Sequence, residues 1–151
     1  MNKKICTYKV ETPFGLIQRL GILHQENKII DPNFCWKAYF EDQGHYNPAE
    51  RADFIFPSSL SEILACAENP ISLLNESLDL FEKYSKKGVL STKDHSGLCH
   101  DLDEVKLAKP LDKISTYRDF YAFEKHVKKG FEKRQEPVPD AWYEIPAYYK
   151  G

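Results

Sequence analysis

Two β-favouring apolar runs stand at the head of the chain, residues 6–10 and 16–23, separated by Thr12-Pro13-Phe14-Gly15. A third, residues 28–31, follows the turn-forming Gln25-Glu26-Asn27. Runs of this length split by turn residues read as a three-stranded meander, so the chain begins as sheet. From Asn33 the pattern turns helical. Phe34, Trp36-Lys37 and Tyr39-Phe40 suggest a short amphipathic turn, and Pro48 sits where a first helical residue is tolerated. Ser59-Leu60-Ser61-Glu62 has capping-box spacing and predicts a helix over 59–67. Asn69-Pro70 opens a longer helix with Leu74, Leu78, Phe81 and Tyr84 on one face, ended by Gly88. Strands followed by helices make the fold class α+β.

Composition narrows the function classes. The chain has 151 residues, 42% of them hydrophobic, enough to pack a core without disulfides or a structural metal. Its 21 Lys+Arg against 23 Asp+Glu give a net charge of −2, which argues against a general nucleic-acid binder. No apolar run approaches the ~20 residues of a membrane span, so no membrane partner is expected. Two lysines near the start have no apolar run behind them, so neither a signal peptide nor a lipidated Cys6 is expected. Cys6, Cys35, Cys66 and Cys99 are widely spaced, as separate small hydrophobes in a reducing, cytoplasmic compartment would be. His95, Cys99 and His100 invite a zinc reading, but their spacing matches no zinc pattern, and a polar loop is preferred.

Between Gly88 and Pro110 the sequence turns polar, with Leu102, Val105 and Leu107 alternating as a short strand. This divides the chain into an N-terminal α+β domain, residues 1–105, and a second segment, residues 106–151. In the second, Ser115 or Thr116 can cap a helix striped by Phe120, Phe123, Val127 and Phe131, with Lys125, Lys128, Lys129, Lys133 and Arg134 on its polar side. Residues 142–151 then read as an extended aromatic strand. If Asp119 and His126 are both helical, their spacing of two turns points both to one side, near enough for a carboxylate-held ion and an imidazole base to share a cavity. Read alone, Asp119 is a charge at a helix start, His126 a solvated or core residue, and Tyr121 and Tyr149 packing aromatics.

The run Tyr117-Arg118-Asp119-Phe120-Tyr121-Ala122-Phe123-Glu124-Lys125-His126, followed by Trp142-Tyr143-Glu144-Ile145-Pro146-Ala147-Tyr148-Tyr149-Lys150-Gly151, resembles the opening of the catalytic domain in the fumarylacetoacetate hydrolase family. Its D-F-Y-x-x-x-x-H core carries the likeness. Thr12-Pro13-Phe14-Gly15 and Val105-Lys106-Leu107-Ala108-Lys109-Pro110 resemble marks of the family's β-rich amino-terminal domain. The resemblance covers nearly the whole chain and less than half of a family member.

It implies a fold in which the N-terminal domain is followed by the first helix and strand of an incomplete β-roll. It also implies metal-dependent hydrolysis of a C–C bond in a β-diketone acid, of the kind found in aromatic amino-acid catabolism. By the same likeness Asp119 is a ligand to Mg²⁺ or Ca²⁺, His126 the general base that activates water, and Tyr121, Arg134 and Tyr149 the substrate contacts. A hard divalent ion needs about six or more oxygens, and the family's other ligands, a Glu-x-Glu and a later Asp, are not among these residues. The chain alone is therefore expected to be inactive and to bind the cation poorly. Its expected partners are a small β-diketone acid and a separate chain carrying the rest of the catalytic domain. The alternative is a non-catalytic binding or assembly module derived from the same domain. A basic-helix binder of single-stranded nucleic acid, using residues 125–134 with Tyr148 and Tyr149 as stacking surfaces, ranks below both.

Overall fold

The meander is the frame of the first unit. In the computed structural model, which describes residues 3–12, 15–111, 114 and 116–150, β1 (Lys4–Thr12), β2 (Gly15–His24) and β3 (Lys28–Ile30) run antiparallel. Their register extends from Lys4 opposite Leu23 to Thr12 opposite Gly15. Pro13 and Phe14 of the expected turn lie outside the described residues. Two short strands extend the sheet: β4 (Cys99–Asp101) beside β3 and β5 (Lys106–Leu107) beside β1, in the order β4-β3-β2-β1-β5. The single strand expected through Leu102, Val105 and Leu107 is corrected here. Residues 102–105 turn from one sheet edge toward the other, with Leu102 N–H donating to Asn27 O (2.8 Å) and Glu104 N–H to Asp101 O (3.1 Å).

Four helices follow the meander: α1 (Pro32–Asp42), α2 (Pro48–Ile55), α3 (Leu60–Cys66) and α4 (Pro70–Lys86). The caps explain where they begin. Ser59 accepts from Glu62 N–H, Asn69 accepts from Ser72 N–H at 3.0 Å, and prolines occupy the first turns of α1, α2 and α4. Gly88, just past α4, takes a left-handed conformation (φ +76°). One sheet face and three helices enclose Leu20, Ile22, Phe56, Ile63 and Leu74, and a second cluster gathers Ile30, Cys35, Ala38, Phe81, Tyr84 and Leu98. Trp36 Nε1 donates to Ser77 Oγ (3.0 Å) and Tyr84 OH to Asp42 Oδ2 (3.1 Å), which fixes α1 against α4. At Gly21 a Cβ would lie 2.3 Å from Ile29 Cγ2, so β2 requires glycine there.

The polar stretch after Gly88 is a clasped loop. Ser91 bridges Gly97, and Asp94 accepts from Thr92 and Ser96 and pairs with Lys37 of α1. Hydrogen bonds from Lys37 and Thr92 hold the Asp94 carboxyl well below the usual carboxylate range.

A buried polar network centred on Asp31, the N-cap of α1, ties the Tyr8 and Arg19 face of the sheet to α1 and α2. Its carboxylate accepts from Arg19 Nε, Arg19 Nη2 (2.9 Å), Tyr8 OH (2.5 Å) and Phe34 N–H (3.0 Å). Arg19 also stacks on the Phe34 ring at 3.6 Å and donates to Asn33 Oδ1 (3.0 Å). Asn33 carries the network to α2 through Asp53 Oδ1 and Phe56 O, both at 2.8 Å. Burial and the neighbouring carboxylate push the Tyr8 hydroxyl far above its ordinary range.

The chain divides into two compact units, Met1–Asp112 and Lys113–Gly151. β5, through its pairing with β1, belongs to the first. In the second, β6 (Arg118–Phe120) and β7 (Tyr148–Lys150) form a two-stranded antiparallel ribbon, with α5 (Glu124–Arg134) and the one-turn α6 (Ala141–Glu144) between them in sequence. Two expectations are corrected. Ser115 lies outside the described residues, and the helix expected near Thr116 starts only at Glu124, because Arg118–Phe120 finds ladder partners in Tyr148–Lys150. Of the expected stripe, Val127 is buried and Phe131 half-buried, while Phe120 sits on the ribbon and Phe123 is 81% exposed. The aromatic strand is confined to β7. Trp142 and Tyr143 turn helical instead, their N–H groups donating to Pro139 O and Asp140 O, both at 2.9 Å. Among the described residues no helix is long and apolar enough to cross a membrane.

Asp31→Ala leaves Arg19 buried without its carboxylate and uncaps α1. Denaturant unfolding read at first-unit amides by hydrogen exchange should show a loss of about 3–5 kcal/mol. His100 supplies a second expectation. Its Nε2 is buried with no hydrogen-bond partner among the described residues, its ring lies 5.6 Å from Tyr8, and burial depresses its basicity despite the nearby Asp31. The unfolded chain therefore takes up a proton near pH ~6.5 that the folded chain resists, and stability falls as pH drops below that value. Melting midpoints between pH 7 and 5 should decline, and His100→Gln should flatten the decline.

Candidate functional site

The second unit holds a cavity of about 510 Å³ whose walls include Tyr121, Phe131, Arg134, Trp142 and Tyr149. Each wall has a local cause. Tyr121 follows β6 and continues its ladder by donating N–H to Ala147 O (3.0 Å). Side chains alternate along strands, so Tyr121 shares a face with Asp119, and Asp119 shares it with its cross-strand partner Tyr149. Phe131 and Arg134 come from α5, where they lie three residues apart on neighbouring positions of the helix. The Tyr121 hydroxyl reaches Gly130, where a Cβ would sit 3.0 Å away, so the absent side chain lets the ring lie against α5.

Polar links join the helices of this unit. Trp142 Nε1 donates to Tyr121 O (2.8 Å), Tyr143 OH donates to Glu124 Oε1 (2.9 Å), and Lys128 Nζ pairs with that same oxygen (2.8 Å). The Lys128 and Tyr143 hydrogen bonds lower the Glu124 carboxyl, and Glu124 in turn raises the Tyr143 hydroxyl. Arg134 stacks on Phe131, its Cζ 4.3 Å from the ring centre, and its Nε lies 3.4 Å from Glu136 Oε2. The guanidinium is about half exposed, so that ion pair is weak and solvent-screened.

The five residues singled out from sequence are placed unequally. Tyr121, Arg134 and Tyr149 line the cavity. His126, exposed in the first turn of α5, meets the edge of the Tyr121 ring (centroids 5.7 Å apart, 89° between planes) and does not line the cavity. Asp119 is exposed on β6, so the two-turn helical spacing that would relate it to His126 does not exist. What relates them is Tyr121, which shares a ribbon face with Asp119 and a ring contact with His126. The sequence reading missed Trp142 as a wall and Glu124 with Tyr143 as a clasp. Trp142 was visible as a large aromatic with one N–H to satisfy, whereas the clasp has no local signal.

Among the described residues no group of three or more His, Cys, Asp or Glu gathers to hold a metal ion. Cys99 and His100 are consecutive on β4 and face opposite sides of the sheet, so they cannot converge with His95. Several other carboxylates are engaged within the fold: Glu41 accepts from Lys93 N–H (2.8 Å), Asp42 from Tyr84, and Asp101 pairs with Lys28 (2.9 Å). Comparison with family models, with curated proteins and with solved structures gave no match.

Trp142→Phe keeps a ring in the wall but leaves the Tyr121 carbonyl without its donor. A cost of about 1 kcal/mol is expected, read as faster amide exchange at Tyr121 and Ala147 with first-unit exchange unchanged.

Proposed function

We propose that this chain contributes substrate recognition and part of the catalytic machinery to a cytoplasmic hydrolase of the fumarylacetoacetate hydrolase type, which cleaves a C–C bond in a β-diketone acid. One observation carries the reading: Tyr121, Arg134 and Tyr149, distant in sequence and assigned to substrate by motif likeness alone, line one cavity. The chemistry suits the ligand. A guanidinium binds a carboxylate through parallel hydrogen bonds, tyrosine hydroxyls donate to carbonyl oxygens, and the Phe131 and Trp142 rings exclude water from the carbon skeleton. His126, beside Tyr121, is the group that takes a proton from water in this reading. Four free thiols accord with a reducing compartment.

A divalent ion does not fit these residues by themselves. Asp119 is one carboxylate, and a hard cation takes about six or more oxygens. In this reading the remaining ligands are the family's Glu-x-Glu and later Asp, supplied by a separate chain, and the carboxylate that orients His126 also comes from elsewhere. At such a completed site Asp119 would be one ligand to Mg²⁺ or Ca²⁺, and the bound cation would supply Lewis-acid polarisation of the carbonyl.

Calorimetric titration with acetylpyruvate, a simple β-diketone acid, tests recognition directly. Saturable binding is expected, weakened about tenfold by Arg134→Met, which removes charge-assisted hydrogen bonds worth roughly 1.4 kcal/mol. No turnover is expected until a chain bearing the Glu-x-Glu segment and Mg²⁺ are added. Absence of binding, or binding indifferent to both Arg134→Met and Tyr149→Phe, would overturn the hydrolase reading in favour of a non-catalytic assembly module.

A further inference from the structure

The outer edge of the first unit's sheet contains a pairing that works against the fold. β5 lies antiparallel to β1 with Lys106 directly opposite Lys9. Two ammonium groups in cross-strand register repel, where an opposite-charge pair would strengthen the ladder. The backbone cannot slip to part them, because residues 106–110 are fastened to β1 beyond the ladder itself. Ala108 N–H donates to Thr7 O (2.8 Å), and the hydroxyl of buried Thr7 donates to Pro110 O (2.9 Å). Lys109 follows on the same segment. None of Lys9, Lys106 and Lys109 has an ion-pair partner among the described residues.

The three lysines border a groove of about 680 Å³ whose apolar lining is Leu16, Leu107 and Leu111. Leu16 and Leu107 are more than half exposed. We propose that this groove docks an acidic, extended segment of a partner protein, whose carboxylates meet Lys9, Lys106 and Lys109 while an aliphatic side chain covers the leucines. Charge complementarity sets the sign of the partner. Spacing sets its form: Lys106 and Lys109 stand up to about 10 Å apart along an extended chain. A single carboxylate does not span that distance, whereas acidic residues at alternate positions of a strand recur every ~7 Å. The leucines of the same groove give an apolar contact that a bare inorganic anion does not use.

Fluorescence anisotropy of a labelled hexapeptide alternating glutamate and leucine, added to the full chain, is the test. Saturable binding that weakens between 50 and 200 mM salt, with those concentrations chosen to span roughly a twofold change in Debye length, is expected. Lys106→Glu should weaken it at least about tenfold, as loss of a charge contact worth ~1.4 kcal/mol. The same variant should raise the melting midpoint by ~1–3 °C, because the cross-strand pair turns attractive. Lys106→Arg should retain both properties of the parent. The proposal is overturned by any of three results: no saturable binding, affinity undiminished in Lys106→Glu with its fold intact, or displacement by citrate at the peptide's own affinity, which would mark a small-polyanion site.

Discussion

One carboxylate sets the geometry of the first unit. Asp31 ends the meander and begins α1, and its donors come from three elements: Tyr8 of β1, Arg19 of β2 and the Phe34 N–H of α1. A buried charge is tolerated only when paired and fully hydrogen-bonded, and here both conditions are met. The apolar clusters beside it supply most of the driving force, but hydrophobic burial has no direction. Direction comes from the network. A one-residue slip of β1 or β2 would carry Tyr8 or Arg19 to the opposite face and strand the carboxylate, so it fixes register as well as the gap between layers.

The second unit is built the other way. Val127 is its one fully buried large hydrophobic side chain among the described residues. Its order comes from directional links: the β6–β7 ladder, the Tyr121–Ala147 bond, the Trp142–Tyr121 bond, and the Glu124 carboxylate shared by Tyr143 and Lys128. A two-stranded ribbon is marginal by itself, so each such link matters more than it would above a large core. The same sparseness leaves the aromatic walls presented to solvent, with Tyr149 74% exposed. An open wall with a half-exposed guanidinium binds an anion with modest affinity and gains strength only when further surface closes over it.

Local chemistry was legible and long-range chemistry was not. Ser59, Asn69 and Gly88 act within one helical turn of themselves, and each is found doing what its type and position imply. The meander was legible because its turns are short. The helix expected around Phe120 was not, because Phe120, Phe123 and Val127 satisfy a helical stripe while Phe120 and Tyr121 equally suit a strand. The decision rested with Tyr148–Lys150, nearly thirty positions away. β4 and β5 are too short to carry a periodic signal and exist because the longer strands offer edges. The cavity residues were legible only through motif likeness, since nothing in their spacing shows that Arg134 and Tyr149 share a wall. Asp31 shows the same limit. Its capping role is local, but its pairing with Arg19 depends on the β2–β3 register.

Adjacent positions of β1 show how differently one ladder can treat charge. At Tyr8 the cross-strand partner on β2 is Arg19, buried, stacked on Phe34 and neutralised by Asp31. One residue on, the opposite face presents Lys9, with Gln18 on one side and Lys106 on the other. The first face has met the cost of charge inside the molecule. The second has left it open, on a segment held by a buried threonine so that it cannot relax. A fold that satisfies its charges so completely on one side of a strand departs from local rules on the other, and that departure is what the proposed docking of an acidic segment would balance.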